Sequence, residues 1–149
     1  MVRKAQVADI DQIHGLIGFY ARKKEMLPRS AGDIAEGIRD FFVLESGGKV
    51  LGCAALHIYS DKLAEIRSLA VDAGSVNKGI GSKLVKACIG EAVDLGLKSV
   101  FALTRQEEFF GKLGFSPIEK KKLPQKIWND CSICPRFADC DEVAYVKEL

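Results

Sequence analysis

The chain has 149 residues, 48% of them apolar and 28% charged, which is the size and balance of one globular domain and too little for two ordinary ones. No apolar run approaches the roughly 20 residues that cross a bilayer, and a formal charge of +2 is too small for the clustered basic face of a nucleic-acid binder. Neither membrane nor nucleic acid is therefore an expected partner. Residues 1–6 lack the apolar core of a signal peptide, so the expected compartment is the cytoplasm.

Those first residues lead into a polar, helix-like pattern. Ile10, Ile13, Ile17 and Tyr20 then recur at three- and four-residue spacing, which predicts an amphipathic helix over residues 9–23. Pro28 breaks it. Ser30-Ala31-Gly32-Asp33 has capping-box spacing, and Ile34 and Ile38 give a short second helix one apolar stripe. Residues 41–44 and 50–59 read as strands joined at Ser46-Gly47-Gly48, a hairpin. A third strand spans 65–71, and a glycine turn leads from it into a long helix over 79–95. Ile80, Leu84, Ala87 and Cys88 form the buried face of that helix, and Gly96 stops it. Residues 99–104 are nearly all apolar, as in a strand buried on both faces. A short helix over 107–113 ends at Gly114, residues 115–118 are extended, and 143–147 form the last strand. This order predicts an α/β (α+β) domain, a mixed sheet with helices on its faces.

Lys78-Gly79-Ile80-Gly81-Ser82 follows a strand and opens a helix. Glycine lets backbone approach a ligand closely, and the first N–H groups of a helix point outward at the positive end of its dipole. Three or four such groups, each worth about 1.5–3 kcal/mol to an anion, can hold a pyrophosphate without an arginine. Taken alone, the two glycines are equally a plain tight turn. A dinucleotide fingerprint would need a third glycine where Leu84 stands, and a phosphate loop ending in Gly-Lys-Ser/Thr is absent.

Three segments carry a resemblance. Glu65-Ile66-Arg67-Ser68-Leu69-Ala70-Val71-Asp72, the turn at Gly79-Ile80-Gly81, and Phe109-Phe110-Gly111-Lys112-Leu113-Gly114-Phe115 together resemble the GNAT superfamily of N-acetyltransferases over residues 3–118. With Val100-Phe101-Ala102-Leu103-Thr104, they look like the acetyltransferase domain of N-acetylglutamate synthases, particularly the short form that lacks an amino-acid kinase domain. The resemblance implies a single acetyltransferase domain over 1–149, with a core over 3–118 and a cysteine-containing segment over 119–149. It also implies a mostly antiparallel sheet, helices on both faces and a central splayed parallel pair. Acetyl-CoA, the implied co-substrate, would lie in the gap between strands 65–71 and 99–104. Its pantetheine would run along the backbone of Leu69, Ala70 and Val71, and its pyrophosphate would sit on the N–H groups of Lys78, Gly79, Ile80, Gly81 and Ser82.

The implied activity is acetyl transfer to the α-amine of a small amino acid, L-glutamate first, and hence arginine biosynthesis. Other acceptors are a different small amine or a protein N-terminus, and a non-catalytic sensor of acyl-CoA or an amino acid is the reading from another class. A homodimer is compatible with either. Two departures from the superfamily pattern stand out. Val76 and Asn77 occupy positions usually held by Arg or Gln and by Gly, which leaves pyrophosphate binding to the backbone. Phe110 stands where many members carry a tyrosine that protonates the leaving thiolate.

Acetyl transfer needs a neutral amine. An α-amine with a pKa of about 8 is roughly one-tenth neutral at pH 7, so a modest base suffices. Glu65 is the candidate base, acting directly or through water, and the Leu69 N–H is the candidate oxyanion donor. Period-two alternation puts Glu65, Arg67, Leu69 and Val71 on one strand face. Glu65 and Arg67 form either an ion pair or a working pair in which Arg67 clamps a substrate carboxylate while Glu65 serves the amine. Arg105 is a second carboxylate candidate and Lys112 a weaker one. His57, on an apolar strand, reads as a hydrogen-bonded core or rim residue.

Five cysteines are an odd count that fits a reducing compartment. Cys53 and Cys88 fall inside apolar patterns as core residues. Cys131, Cys134 and Cys140 have metal-like spacing but only three thiolates, where a closed zinc site takes four ligands. No metal is expected, and a disulfide or free thiols are the plainer accounts. Lys120-Lys121-Lys122, with Lys126 nearby, reads as a solvated loop.

Overall fold

The expected elements form in the expected order, with one addition at the N-terminus. The computed structural model describes residues 1–123 and 143–149, so Lys126, Cys131, Cys134 and Cys140 lie outside the described residues. The helices are α1 (Ile10–Arg22), α2 (Ala31–Glu36), α3 (Ile80–Asp94) and α4 (Glu107–Lys112). The strands are β1 (Val2–Lys4), β2 (Phe41–Ser46), β3 (Lys49–Ile58), β4 (Leu63–Val71), β5 (Ser99–Thr104), β6 (Ser116–Ile118) and β7 (Val143–Glu148). The addition is β1, where the sequence suggested a helical lead-in. Pairing explains the correction: Val2, Arg3 and Lys4 align antiparallel with Leu44, Val43 and Phe42, and three residues acquire strand form from a neighbour rather than from a pattern of their own.

The seven strands form one sheet in the order β1-β2-β3-β4-β5-β7-β6. Every neighbouring pair is antiparallel except β4 and β5, which are parallel and joined through α3, the helical crossover that a parallel connection requires. The C-terminal strand β7 lies inside the sheet, between β5 and β6.

Alternation along the strands builds two layers. On one face Cys53, Ala55 and Ala70 pack under Ile13 and Ile17 of α1 and Ile34 of α2. On the other, Ala54, Leu56, Ala64 and Ile66 pack under Ile80, Leu84, Val85, Cys88 and Ala92 of α3. The buried face of α3 thus includes Val85 and Ala92, while Ala87, expected there, is only half-buried. Ser30 Oγ accepts from the Asp33 N–H at 3.1 Å, the cap that starts α2. Burial pushes the thiols of Cys53 and Cys88 up to about 12, as befits inert core residues. No described helix is long and apolar enough to cross a membrane.

Candidate functional site

The parallel pair separates early. Leu63, Ala64 and Glu65 align with Ser99, Val100 and Phe101, and the pairing stops there, although β4 runs on to Val71 and β5 to Thr104. A gap therefore opens between the C-terminal halves of the two strands. The Asp72 N–H donates to the Leu51 carbonyl on the β3 side at 2.8 Å. Alternation then turns the backbone groups of Val71 toward the gap. The Val71 carbonyl accepts there from the Tyr20 hydroxyl of α1 at 2.5 Å, and burial holds that phenol above its ordinary pKa, so it remains a donor.

A bulge changes which side chains share a face. The β3–β4 register steps from Ala55–Arg67 to Cys53–Ala70, and Ser68 takes φ 56, left-handed for a residue with a Cβ. The strict alternation expected for Glu65, Arg67, Leu69 and Val71 is thereby broken. Leu69 and Val71 pack on the α3 side with Ala64 and Ile66, whereas Ala70 packs on the α1 side and pairs with Cys53. Glu65 and Arg67 are thus separated by the bulge from the gap-lining residues Leu69 and Val71.

Beyond Val71 the chain makes a single helical turn over Ala73–Ser75 and enters α3. Asn77 has φ 65 and Gly79 φ 77, two left-handed residues that wind the backbone tightly before the helix. Asn tolerates that region better than most side chains, which accounts for a residue other than glycine at 77. Gly79 caps α3 with no side-chain hydrogen bond, and the first turn holds no acidic residue. The N–H groups of Ile80, Gly81 and Ser82, which have no partner inside a helix, therefore lie at an N-terminus free of competing acids. At Gly81 an added Cβ would come within 3.3 Å of Phe109 Cζ, so α4 packs closely against the turn.

Glu65 is 7% exposed, and its Oε1 accepts from the Tyr59 hydroxyl at 3.0 Å and lies 3.8 Å from Arg67 NH1. The Tyr59 ring stands edge-on to His57, centroids 4.8 Å apart, and His57 Nδ1 lies 3.3 Å from Asp40 Oδ2. His57 thus has the rim role expected of it. Arg105 donates to the carbonyls of Lys24 and Glu25, at 3.4 and 3.3 Å, and ties the end of β5 to the turn after α1. Lys112 pairs with Glu108 at the exposed surface of α4. Phe110 is 4% exposed and stacks edge-on between Phe109 and Phe115, a core residue with no proton to give. Among the described residues no group of three or more His, Cys, Asp or Glu could hold a metal ion.

Two contributors escaped the sequence. Tyr59 is two residues beyond His57, which aligns with Glu65, so it is a diagonal cross-strand neighbour of the carboxylate on one face. Alternation carried that signal, but only the register reveals it. Tyr20 read simply as an apolar position of α1.

The model of the Acetyltransferase (GNAT) family matches residues 8–115. An uncharacterised N-acetyltransferase of Chlorobaculum tepidum is 47% identical over 99% of this chain and 96% of its own length. An amino-acid acetyltransferase of Mycobacterium tuberculosis is 34% identical over 99% of this chain and 87% of its own. Among solved structures, N-acetylglutamate synthase of Neisseria gonorrhoeae, complexed with coenzyme A and N-acetyl-glutamate, is similar with a TM-score of 0.89 and 29% identity, over 100% of this chain and 35% of that one.

Proposed function

From the premise that this chain belongs to the acetyltransferase (GNAT) family, we propose that it moves the acetyl group of acetyl-CoA to the α-amine of a small amino acid, with L-glutamate the first candidate, as one domain over residues 1–149. The observation that carries the reading is the gap where β4–β5 pairing ends, with the uncapped, acid-free N-terminus of α3 at its mouth. The amino-acid acetyltransferase relative and the synthase neighbour bound to N-acetyl-glutamate support the acceptor class.

In this reading pantetheine lies along the open edge of β4 at Leu69, Ala70 and Val71, and the pyrophosphate meets the N–H groups of residues 78–82. Glu65 takes a proton from the acceptor ammonium. The neutral amine adds to the thioester carbonyl, whose developing oxyanion the Leu69 N–H stabilises. The adduct passes its second nitrogen proton to water, and its collapse breaks the carbon–sulfur bond, releases the CoA thiolate and gives the amide. The thiolate takes its proton from solvent, because Phe110 is apolar and buried. Arg67 and Arg105 are the candidate partners of a substrate carboxylate.

Incubation with acetyl-CoA and a panel of amino acids, followed by free-thiol release, tests the substrate. Glutamate is expected to give the largest kcat/KM. Turnover of another amine without turnover of glutamate overturns the acceptor, and binding of CoA without turnover of any amine returns the chain to the sensor reading.

A further inference from the structure

We infer that Gly52 of β3 is a positioning residue for coenzyme A. By lacking a side chain it seats the first turn of α3 where the N–H groups of Ile80, Gly81 and Ser82 reach the pyrophosphate; this rests on that turn being the pyrophosphate site.

Gly52 is buried within the sheet, and its neighbours in register are Leu44 of β2 and Val71 of β4. A glycine there weakens a strand, since it has the most backbone freedom to lose and no side chain to pack. Its φ is not left-handed, so conformation does not require it. Space does. A Cβ at residue 52 would meet Ile80 Cγ2 at 2.8 Å, Leu84 Cδ1 at 2.9 Å and the Ala70 carbonyl oxygen at 3.3 Å. Carbon atoms in contact rest about 3.5–4.0 Å apart, so α3 lies roughly 1 Å closer to β3 than a side chain at residue 52 would let it.

The two helix atoms do not yield equally. Leu84 Cδ1 is the tip of a side chain that can rotate. Ile80 Cγ2 is bonded directly to Cβ, and a β-branched residue in a helix has one strongly preferred χ1, so this methyl moves only if the Ile80 backbone moves with it. Ile80 is the first residue of α3, and its N–H is among the uncapped groups at that end. A shift of roughly 1 Å takes an N–H···O bond out of hydrogen-bonding range. Gly81 repeats the arrangement one residue on: a Cβ there would lie 3.3 Å from Phe109 Cζ and 3.9 Å from Val71 Cγ2, so β3, β4 and α4 together fix the turn. Val71 faces Gly52 across the strands and lines the gap. The close approach at Gly52 therefore sets the distance between the pyrophosphate turn and the strand edge that carries the pantetheine.

Gly52→Ala tests this. Its dissociation constant for coenzyme A, by calorimetry, should rise about 10-fold, as loss of one charge-assisted hydrogen bond implies. KM for acetyl-CoA should rise in step while kcat at saturating acetyl-CoA holds. Overpacking also lowers the thermal midpoint, so Arg3→Ala on the edge strand β1 serves as a control that lowers it without touching the turn, and its affinity for coenzyme A should not change. Gly52→Ala/Ile80→Ala removes the obstructing methyl but keeps the backbone N–H, and should bind coenzyme A nearly as well as wild type, even if the single variant proves too unstable to assay. A folded Gly52→Ala with wild-type affinity, an equal loss in Arg3→Ala, or a folded double variant that binds weakly overturns the inference. Ser82→Asp separates the failures. If it leaves coenzyme A affinity unchanged, the turn is not the pyrophosphate site; if it weakens binding while Gly52→Ala does not, the positioning role alone is lost.

Discussion

Two carboxylate–arginine clusters sit on this sheet, and they differ in the distance between partners and in their place relative to the gap. At the β1 edge, Arg3 reaches Asp9 at 2.8 and 3.0 Å and Glu45 at 2.9 and 2.6 Å, every contact a direct hydrogen bond. Hydrogen bonding to Arg3 holds the Asp9 carboxyl below its ordinary value even though burial pushes it up. That cluster sews β1 to β2 and to the start of α1. On β4, Glu65 and Arg67 stand 3.8 Å apart beside the place where the strands part, with a tyrosine on the same oxygen. Saturated geometry is what a scaffold needs. In the proposed reading the β4 pair, at the head of the gap, is the one that meets the substrate.

The largest test of that contrast is Glu65→Gln. Loss of a general base costs about 10²- to 10⁴-fold in rate, and kcat should fall in that range with little change in thermal midpoint. Raising the pH, which supplies neutral amine without a base, should restore part of it. An unchanged rate would make the β4 cluster a second scaffold. Ser82→Asp comes next. An acid in the first turn of α3 favours the helix by about 0.3–1 kcal/mol while it repels a pyrophosphate, so KM for acetyl-CoA should rise about 10-fold or more, as a lost charge-assisted bond implies, and the thermal midpoint should hold or increase. Arg67→Ala should raise KM for a carboxylate-bearing acceptor about 10- to 100-fold and leave KM for acetyl-CoA alone. If instead kcat and stability fall together, Arg67 serves only Glu65.

The sequence made more of the fold legible than of the site. α1 was readable from its period and β5 from its nearly unbroken apolar run, because in each the residues themselves carry the pattern. β1 was not, since three residues hold no period and its partner lies about forty residues away. The glycine turn announced itself, and Asn77 at φ 65 shows that even its departure from the family pattern has a backbone reason. The bulge at Ser68 had no signal: serine seldom takes a left-handed φ, and what imposes it is the offset between β3 and β4. One residue of offset was enough to split the face that alternation assigned to Glu65, Arg67, Leu69 and Val71. Arg105, a clamp candidate from its place after β5, also bonds to two carbonyls of the turn after α1, a partnership no local pattern announces.

The scaffold cluster should answer to stability alone. Arg3→Ala removes charge-assisted bonds from Asp9, which is 5% exposed, while Arg3 itself is partly open to water. A loss of about 2 kcal/mol is expected, in the range for hydrogen bonds to charged groups, which lowers the thermal midpoint by roughly 4–8 °C for a chain of this size. KM and kcat measured well below that midpoint should not move. A change in either would mean that the two clusters are coupled through the sheet.

The smallest effect is the dependence of that cluster on acid, and its sign follows from Asp9. The folded carboxyl sits below its ordinary value of 3.8, mainly because Arg3 bonds to it. Above that value the group is ionised in both folded and unfolded chains, and its contribution to stability is fully present and flat. As the pH falls below about 3.8 the unfolded chain takes up a proton first, and the contribution is lost progressively until the folded carboxyl is protonated too. Urea unfolding between pH 7 and pH 3 should therefore show an acid decline that is shallower in Asp9→Asn, whose baseline at pH 7 is already lower. Equal acid slopes in the two proteins would show that Asp9 is no more favoured as an anion in the folded chain than in the unfolded one, and the contrast with β4 would then rest on distance alone.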